Sequence, residues 1–191
     1  MAEESYATND KDFNAQLTKI KGKTPDVLFI PDYYSTVSLI AKQVKNQGIT
    51  APMLGADGWD EIVNNAGDEI VGSYYSNHYS PEADDKEVKD FVKNFVAKYP
   101  DYTKQQATFK PNALAALGYD ATYILAEAIE RAKSTDPEKI KEEVKKTDKK
   151  YVTGKIKFNE KRNPVKSAVM LKLEKGENGK PVEKYSATVN P

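Results

Sequence analysis

The sequence predicts an α/β protein built on a parallel sheet with crossover helices. Three observations predict it. Strand-like and helix-like hydrophobic patterns alternate over residues 4–77, joined by short connections. The run DVLFI at 26–30 is continuously apolar, the mark of a strand covered on both faces. The intervening segments repeat their apolar residues at helical spacing.

In order along the chain, residues 4–8 read as a short strand. In NDKDFNAQLTKIKGK, Phe13, Leu17 and Ile20 share one helical face, with Asn9 or Asp10 as the N-terminal cap. DVLFI follows as a strand. A second helix runs from about Ser35 to Gly48, with Val37, Ile40, Ala41 and Val44 inward. Residues 51–55 form another strand, and a further one covers roughly 70–77. In such sheets ligands sit beyond the carboxyl ends of the strands. Two loops leave those ends, PDYYS after 26–30 and GADGW after 51–55, so they are expected side by side.

After residue 80 the character changes. DKEVKDFVKNFVAKYP carries Val88, Phe91, Val92, Phe95 and Val96 on one stripe. KPNALAALGYDATYILAEAIERAK is a long helix, apolar over much of its circumference and read as well buried. STDPEKIKEEVKKTD is a capped, charged helix with a thin apolar edge at Ile140 and Val144, and the lysine-rich stretch 139–150 reads as a solvated helix face. Alternating strands VTGKIKF and SAVMLKLEK come next, the latter turning at GENGKP into VEKYSATV. The three middle helices need a sheet to cover, and 81–149 supplies none.

Composition narrows the function classes. The 191 residues are 39% hydrophobic and 30% charged, an ordinary globular balance for one large domain or two small ones. Twenty-nine basic residues match twenty-nine acidic ones, which gives no reason to expect a nucleic-acid partner or an anionic membrane surface. No apolar run approaches a membrane span, so no membrane insertion is expected. The opening MAEESYATND is acidic and polar and does not read as a signal peptide. With no cysteine, disulfides, thiol nucleophiles and the usual zinc sites are excluded. The single histidine, His78, lies where a strand runs into a polar loop, which favours a structural or solvated role.

The turn GADGW admits four readings: turn chemistry alone, a metal site, a catalytic carboxylate, or a socket for a cationic ligand. A metal cluster would use Asp57, Asp60 and Glu61, but the last two stand where acids complement the start of a following helix. A catalytic reading would make Asp57 a general base assisted by His78 or Tyr33. No phosphate loop, nucleophile elbow or paired-carboxylate signature accompanies it, so no enzyme and no cofactor are expected.

The segments AEESYATNDKDFNAQLTKIK, DVLFIPDYYSTVSLIAKQ, GITAPMLGADGWD, GSYYSNHYSP, ALAALGYDATYILAEAIERA and VTGKIKFNEKRNPVKSAVMLKL together resemble the branched-chain amino-acid-binding proteins of ABC importers. Those are type I periplasmic binding proteins, two α/β lobes joined by three crossing strands. The resemblance runs from about residue 2 to residue 175, and only the later part of such a protein is matched. It implies that residues 1–78 are part of the C-terminal lobe, 79–155 part of the N-terminal lobe, and 156–191 a crossover strand with strands returning to the C-terminal lobe. The first lobe's opening βα units are not matched. The resemblance therefore implies an incomplete fold, completed by a missing N-terminal segment or by self-association or strand swapping as a homo-oligomer.

The resemblance further implies capture of leucine, isoleucine, valine or a similar amino acid, delivery to an ABC permease, and an extracytoplasmic location. Asp57 matches the family's partner for the ligand ammonium, and Tyr33 the aromatic residue that packs on its aliphatic side chain. Tyr34 lies beside it, Trp59 either walls the pocket or covers the lobe edge, and Leu114 matches a side-chain-pocket position from the other lobe. For each a plainer reading stays open: turn former for Asp57, surface aromatics for the tyrosines, helix core for Leu114.

Overall fold

The computed structural model describes residues 1–100 and 110–191, which divide into two compact units. The first comprises Met1–Asn77 and Met170–Ser186, the second His78–Val169 and Ala187–Pro191. The chain therefore passes from one unit to the other three times.

The first unit holds most of a five-stranded sheet in the order β1-β2-β3-β7-β8, formed by Leu28–Phe29, Met53–Gly55, Tyr74–Asn77, Ala168–Lys175 and Pro181–Val189. β1, β2 and β3 are parallel, with Leu28 beside Met53 and Leu54 beside Tyr74. Helix α2 (Tyr34–Asn46) is the crossover from β1 to β2, and α1 (Asn14–Lys21) leads into β1. Phe13, Leu17, Val37, Ile40, Ala41 and Val44 bury one face of this sheet together with Leu28, Ile30, Met53, Tyr75, Leu171 and Leu173. These are the apolar positions the helical spacing selects.

Four expectations are corrected here. DVLFI is covered on one face only: Leu28 and Ile30 are buried, whereas Phe29 is 60% exposed and Val27 is exposed too. β1 lies at the sheet edge, and its outward side chains meet no covering layer among the described residues. Residues 4–8 are not a strand, because no neighbouring strand among the described residues pairs with them; Tyr6 instead packs edge-on against Phe13 with ring centroids 4.9 Å apart. Neither Asn9 nor Asp10 caps α1, which starts after Phe13, and Asp10 accepts the Ala7 amide at 2.8 Å in a local turn. Asp60 and Glu61 do not open a helix. The 57–70 stretch is three short 3₁₀ turns (Asp57–Trp59, Ile62–Asn64, Asp68–Ile70), with Glu61 in the left-handed region at φ 68°.

The second unit carries α3 (Lys86–Lys98), α4 (Ala113–Ala132) and α5 (Pro137–Lys145). Each opens on a side-chain cap. Asp85 accepts from the Glu87 amide at 3.0 Å, Asn112 from Ala115 at 3.0 Å and Asp136 from Glu138 at 2.9 Å. α5 stops at Lys145, so the lysine-rich stretch is not one helix face; Asp148–Tyr151 is β4, which pairs antiparallel with β5 (Gly154–Phe158), and β5 with β6 (Pro164–Val165). Val152 and Thr153, read as the start of a strand, form the turn between β4 and β5. Asp120, buried in the middle of α4, accepts both their amides at 3.0 and 2.8 Å and so fixes that turn.

The expectation that the long helix is well buried is also corrected. α4 buries one narrow face, Ala113, Ala116, Asp120, Ile124 and Ala128. Leu114, Leu125 and Ile129 are exposed, and Tyr119 and Tyr123, both half exposed, have ring centroids 4.6 Å apart with their planes tilted by 40°.

Candidate functional site

The candidate site grows out of two turns at the carboxyl ends of β1 and β2. At the first, the Asp32 carboxylate folds back on its own segment and accepts the Tyr33 amide at 2.6 Å. Its other oxygen accepts the Tyr6 hydroxyl, also at 2.6 Å. Burial and the adjacent Asp32 carboxylate together push the Tyr6 phenol well above its ordinary pKa, so it stays a donor. Tyr33 is thereby held extended just before α2, where its carbonyl receives the Thr36 and Val37 amides. Its ring is 71% exposed, and Tyr34, the first residue of α2, is partly exposed.

At the second turn, chain reversal depends on two glycines. A Cβ on Gly55 would fall 2.2 Å from the indole of Trp59, and one on Gly58 would fall 2.8 Å from the Asp32 carbonyl and 3.4 Å from the Tyr33 α-carbon. Only a residue without a side chain lets the second turn come this close to the first. The two loops are therefore side by side, and Asp57, exposed at the start of the turn, stands next to the Tyr33 segment.

Trp59 is fully buried and belongs to the core beneath this turn, not to its surface. Its indole N–H donates to the Ile30 carbonyl at 3.0 Å, which ties the end of β1 to the turn after β2. Its part is to hold the two loops together from below. Leu114 lies in the second unit, on the first turn of α4, and is 72% exposed. The structure thus brings Tyr33, Tyr34 and Asp57 onto one edge of the first unit with Trp59 under them.

Asp60 is directed elsewhere, accepting the Asn77 side-chain amide at 3.0 Å. Among the described residues no group of three or more His, Cys, Asp or Glu side chains is arranged to hold a metal ion. His78 receives the Lys166 ammonium on its backbone carbonyl at 3.5 Å. Sequence reasoning missed Tyr6 and Asp32. The local signal for Asp32 was an Asp directly before the tyrosine pair, whose carboxylate can reach the next amide; for Tyr6, a partner 26 residues away leaves no local signal.

The periplasmic binding protein family matches residues 1–178. A leucine-binding protein of Thermotoga maritima superposes with a TM-score of 0.84 at 35% identity, covering 97% of this chain and 51% of that one. A branched-chain amino-acid transporter substrate-binding protein of Streptococcus pneumoniae, solved with isoleucine, gives a TM-score of 0.75 at 30% identity over 95% of this chain and 50% of that one. A Leu/Ile/Val-binding protein homologue of Brucella abortus is 31% identical over 182 residues, 93% of this chain and 46% of its own length. The chain spans about half the length of the curated relatives it matches. With its α/β architecture and parallel strands, it belongs to the periplasmic binding protein family.

Proposed function

We propose that this chain supplies part of the ligand grip of an ABC-importer substrate-binding protein for a branched-chain or similar aliphatic amino acid. In that reading Asp57 pairs with the ligand ammonium and Tyr33 covers its aliphatic side chain, with Tyr34 alongside. Leu114 is proposed as a further ligand contact in the whole protein, and Trp59 supports the turn. The observation that supports the reading is the close approach of the Gly58 backbone to that of Asp32 and Tyr33, between two residues, Asp57 and Tyr33, that are both exposed. A buried ammonium without a counter-charge is costly, so a carboxylate there has a defined use. No covalent chemistry is required.

The lobe assignments follow as part of the proposal: 1–78 to the C-terminal lobe, 79–155 to the N-terminal lobe, 156–191 to the crossover and returning strands. The whole protein is extracytoplasmic and hands its ligand to a permease. Among the described residues no helix is long and apolar enough to cross a membrane.

Leucine has about nine heavy atoms, which caps its binding free energy at roughly 13 kcal/mol. Micromolar affinity already takes about 8 kcal/mol, so it demands near-complete enclosure. Calorimetric titration of this chain with leucine, isoleucine and valine, alone and with the matching N-terminal segment of a relative, tests the proposal. Micromolar binding in the second case, lost in Asp57→Ala, is the expected result. Silence in both cases refutes the ligand class.

A second reading, a self-associating fragment without ligand binding, is favoured by the bare Leu114, Leu125 and Ile129 of α4 and the bare Val27 and Phe29 at β1. Its test is the mass in solution.

A further inference from the structure

We propose that Glu183, Tyr75 and Asp60 form a proton-operated latch at the places where β3 and β8 leave the first unit. With Glu183 neutral the end of β8 stays seated; with Glu183 ionised it loosens. The proposal is independent of the ligand reading.

β3 ends at Asn77, the residue at which the chain first leaves this unit, and β8 carries Glu183 shortly before Ser186, where it leaves for the last time. Tyr75 is fully buried, with its ring 6.2 Å from that of Trp59. Its hydroxyl and the Glu183 Oε1 are both shut off from solvent, and neither has a hydrogen-bond partner of good geometry. An acid and a phenol left this way inside a protein are costly, and the cost is greatest when the acid is charged.

The neighbours make ionisation worse. From the turn after β2 come Asp60, held by Asn77, and Glu61; from β3 comes Tyr75. β7, the strand between β3 and β8, brings the apolar Leu171 and Leu173 to the same core. The charged groups that bear most on Glu183 are thus carboxylates. Burial is the largest influence on Glu183, and the Asp60 and Glu61 charges act in the same direction. The Tyr75 hydroxyl and the Glu61 amide oppose them, and the balance lies at about 7. Burial and the Glu183 charge raise the Tyr75 phenol far out of the physiological range, so Tyr75 keeps its proton throughout.

The sign follows from which state holds the proton. Between the ordinary carboxyl value of 4.5 and about 7 the folded state keeps a proton that the unfolded state has released. Stability therefore falls as pH rises through that window and levels off above it. One linked proton makes the open fraction grow about tenfold per pH unit inside the window.

The test is hydrogen–deuterium exchange at the amides of residues 184–188, corrected for intrinsic rate, with thermal melts, from about pH 5 to about pH 8 on the whole chain. The wild type is expected to open increasingly with pH and Glu183→Gln to give a flat profile. Asp60→Asn keeps an acceptor for Asn77 but removes a neighbouring charge, so its midpoint is expected at lower pH. A wild-type slope retained in Glu183→Gln overturns the latch. Should Glu183→Gln not fold, an unshifted midpoint in Asp60→Asn overturns it equally.

Discussion

Gly58 carries the most consequence of any single position, because its missing side chain sets the distance between the two candidate loops. A methyl group there meets backbone at 2.8 Å, and backbone yields less readily than the tip of a flexible side chain. Gly58→Ala is expected to lose about 1–3 kcal/mol in urea unfolding, since the loops must part to admit it. Trp59→Ala is expected to cost more, about 3–5 kcal/mol, because it empties a fully buried site and leaves the Ile30 carbonyl with one donor fewer. At this scale the sequence was only partly legible. Asp57 and Tyr33 were singled out because their motifs resemble those of a family. The direction of Trp59 was hidden, since a tryptophan after Gly-Ala-Asp-Gly reads the same whether it faces ligand or core. Tyr6 was missed because its use depends on a contact that only folding creates.

Helices and strands were legible where one face alone decides their fate. α2 repeats Val37, Ile40, Ala41 and Val44 at the spacing a covered face needs, and those residues are buried. The long helix misled because apolar residues around most of a circumference are read as burial, whereas α4 buries one stripe and leaves Leu125 and Ile129 bare. The hairpin misled for a different reason. β4 and β5 reverse at Val152 and Thr153 because a buried carboxylate on another element receives both amides. Asp120→Ala removes that acceptor pair and leaves two buried N–H groups unmet. The expected loss is about 2–4 kcal/mol, read by urea unfolding, with exchange rising first at the amides of 148–158.

For the molecule as a whole, the bare apolar surfaces define the expected behaviour. Light scattering at micromolar concentration is expected to give a mass above 21.3 kDa, and Leu125→Glu with Ile129→Glu to return it toward the monomer. A monomer before substitution would mean that these faces are tolerated in water. The parallel sheet and the adjacency of the loops after β1 and β2 could be anticipated from alternation and loop length. The division into two units was expected only through a resemblance, since nothing in the local pattern marks Asn77 or Ser186 as points where contacts change. That division has a consequence for synthesis. Gly72 and Ser73, just before β3, bond to Leu173 of β7, and about 90 residues of the other unit lie between those halves of one sheet. At about 5–20 residues per second, the nascent β1-β2-β3 core waits some 5–20 seconds beside the ribosome with an unpaired edge. A chaperone that binds strand edges would find its longest opportunity in that interval.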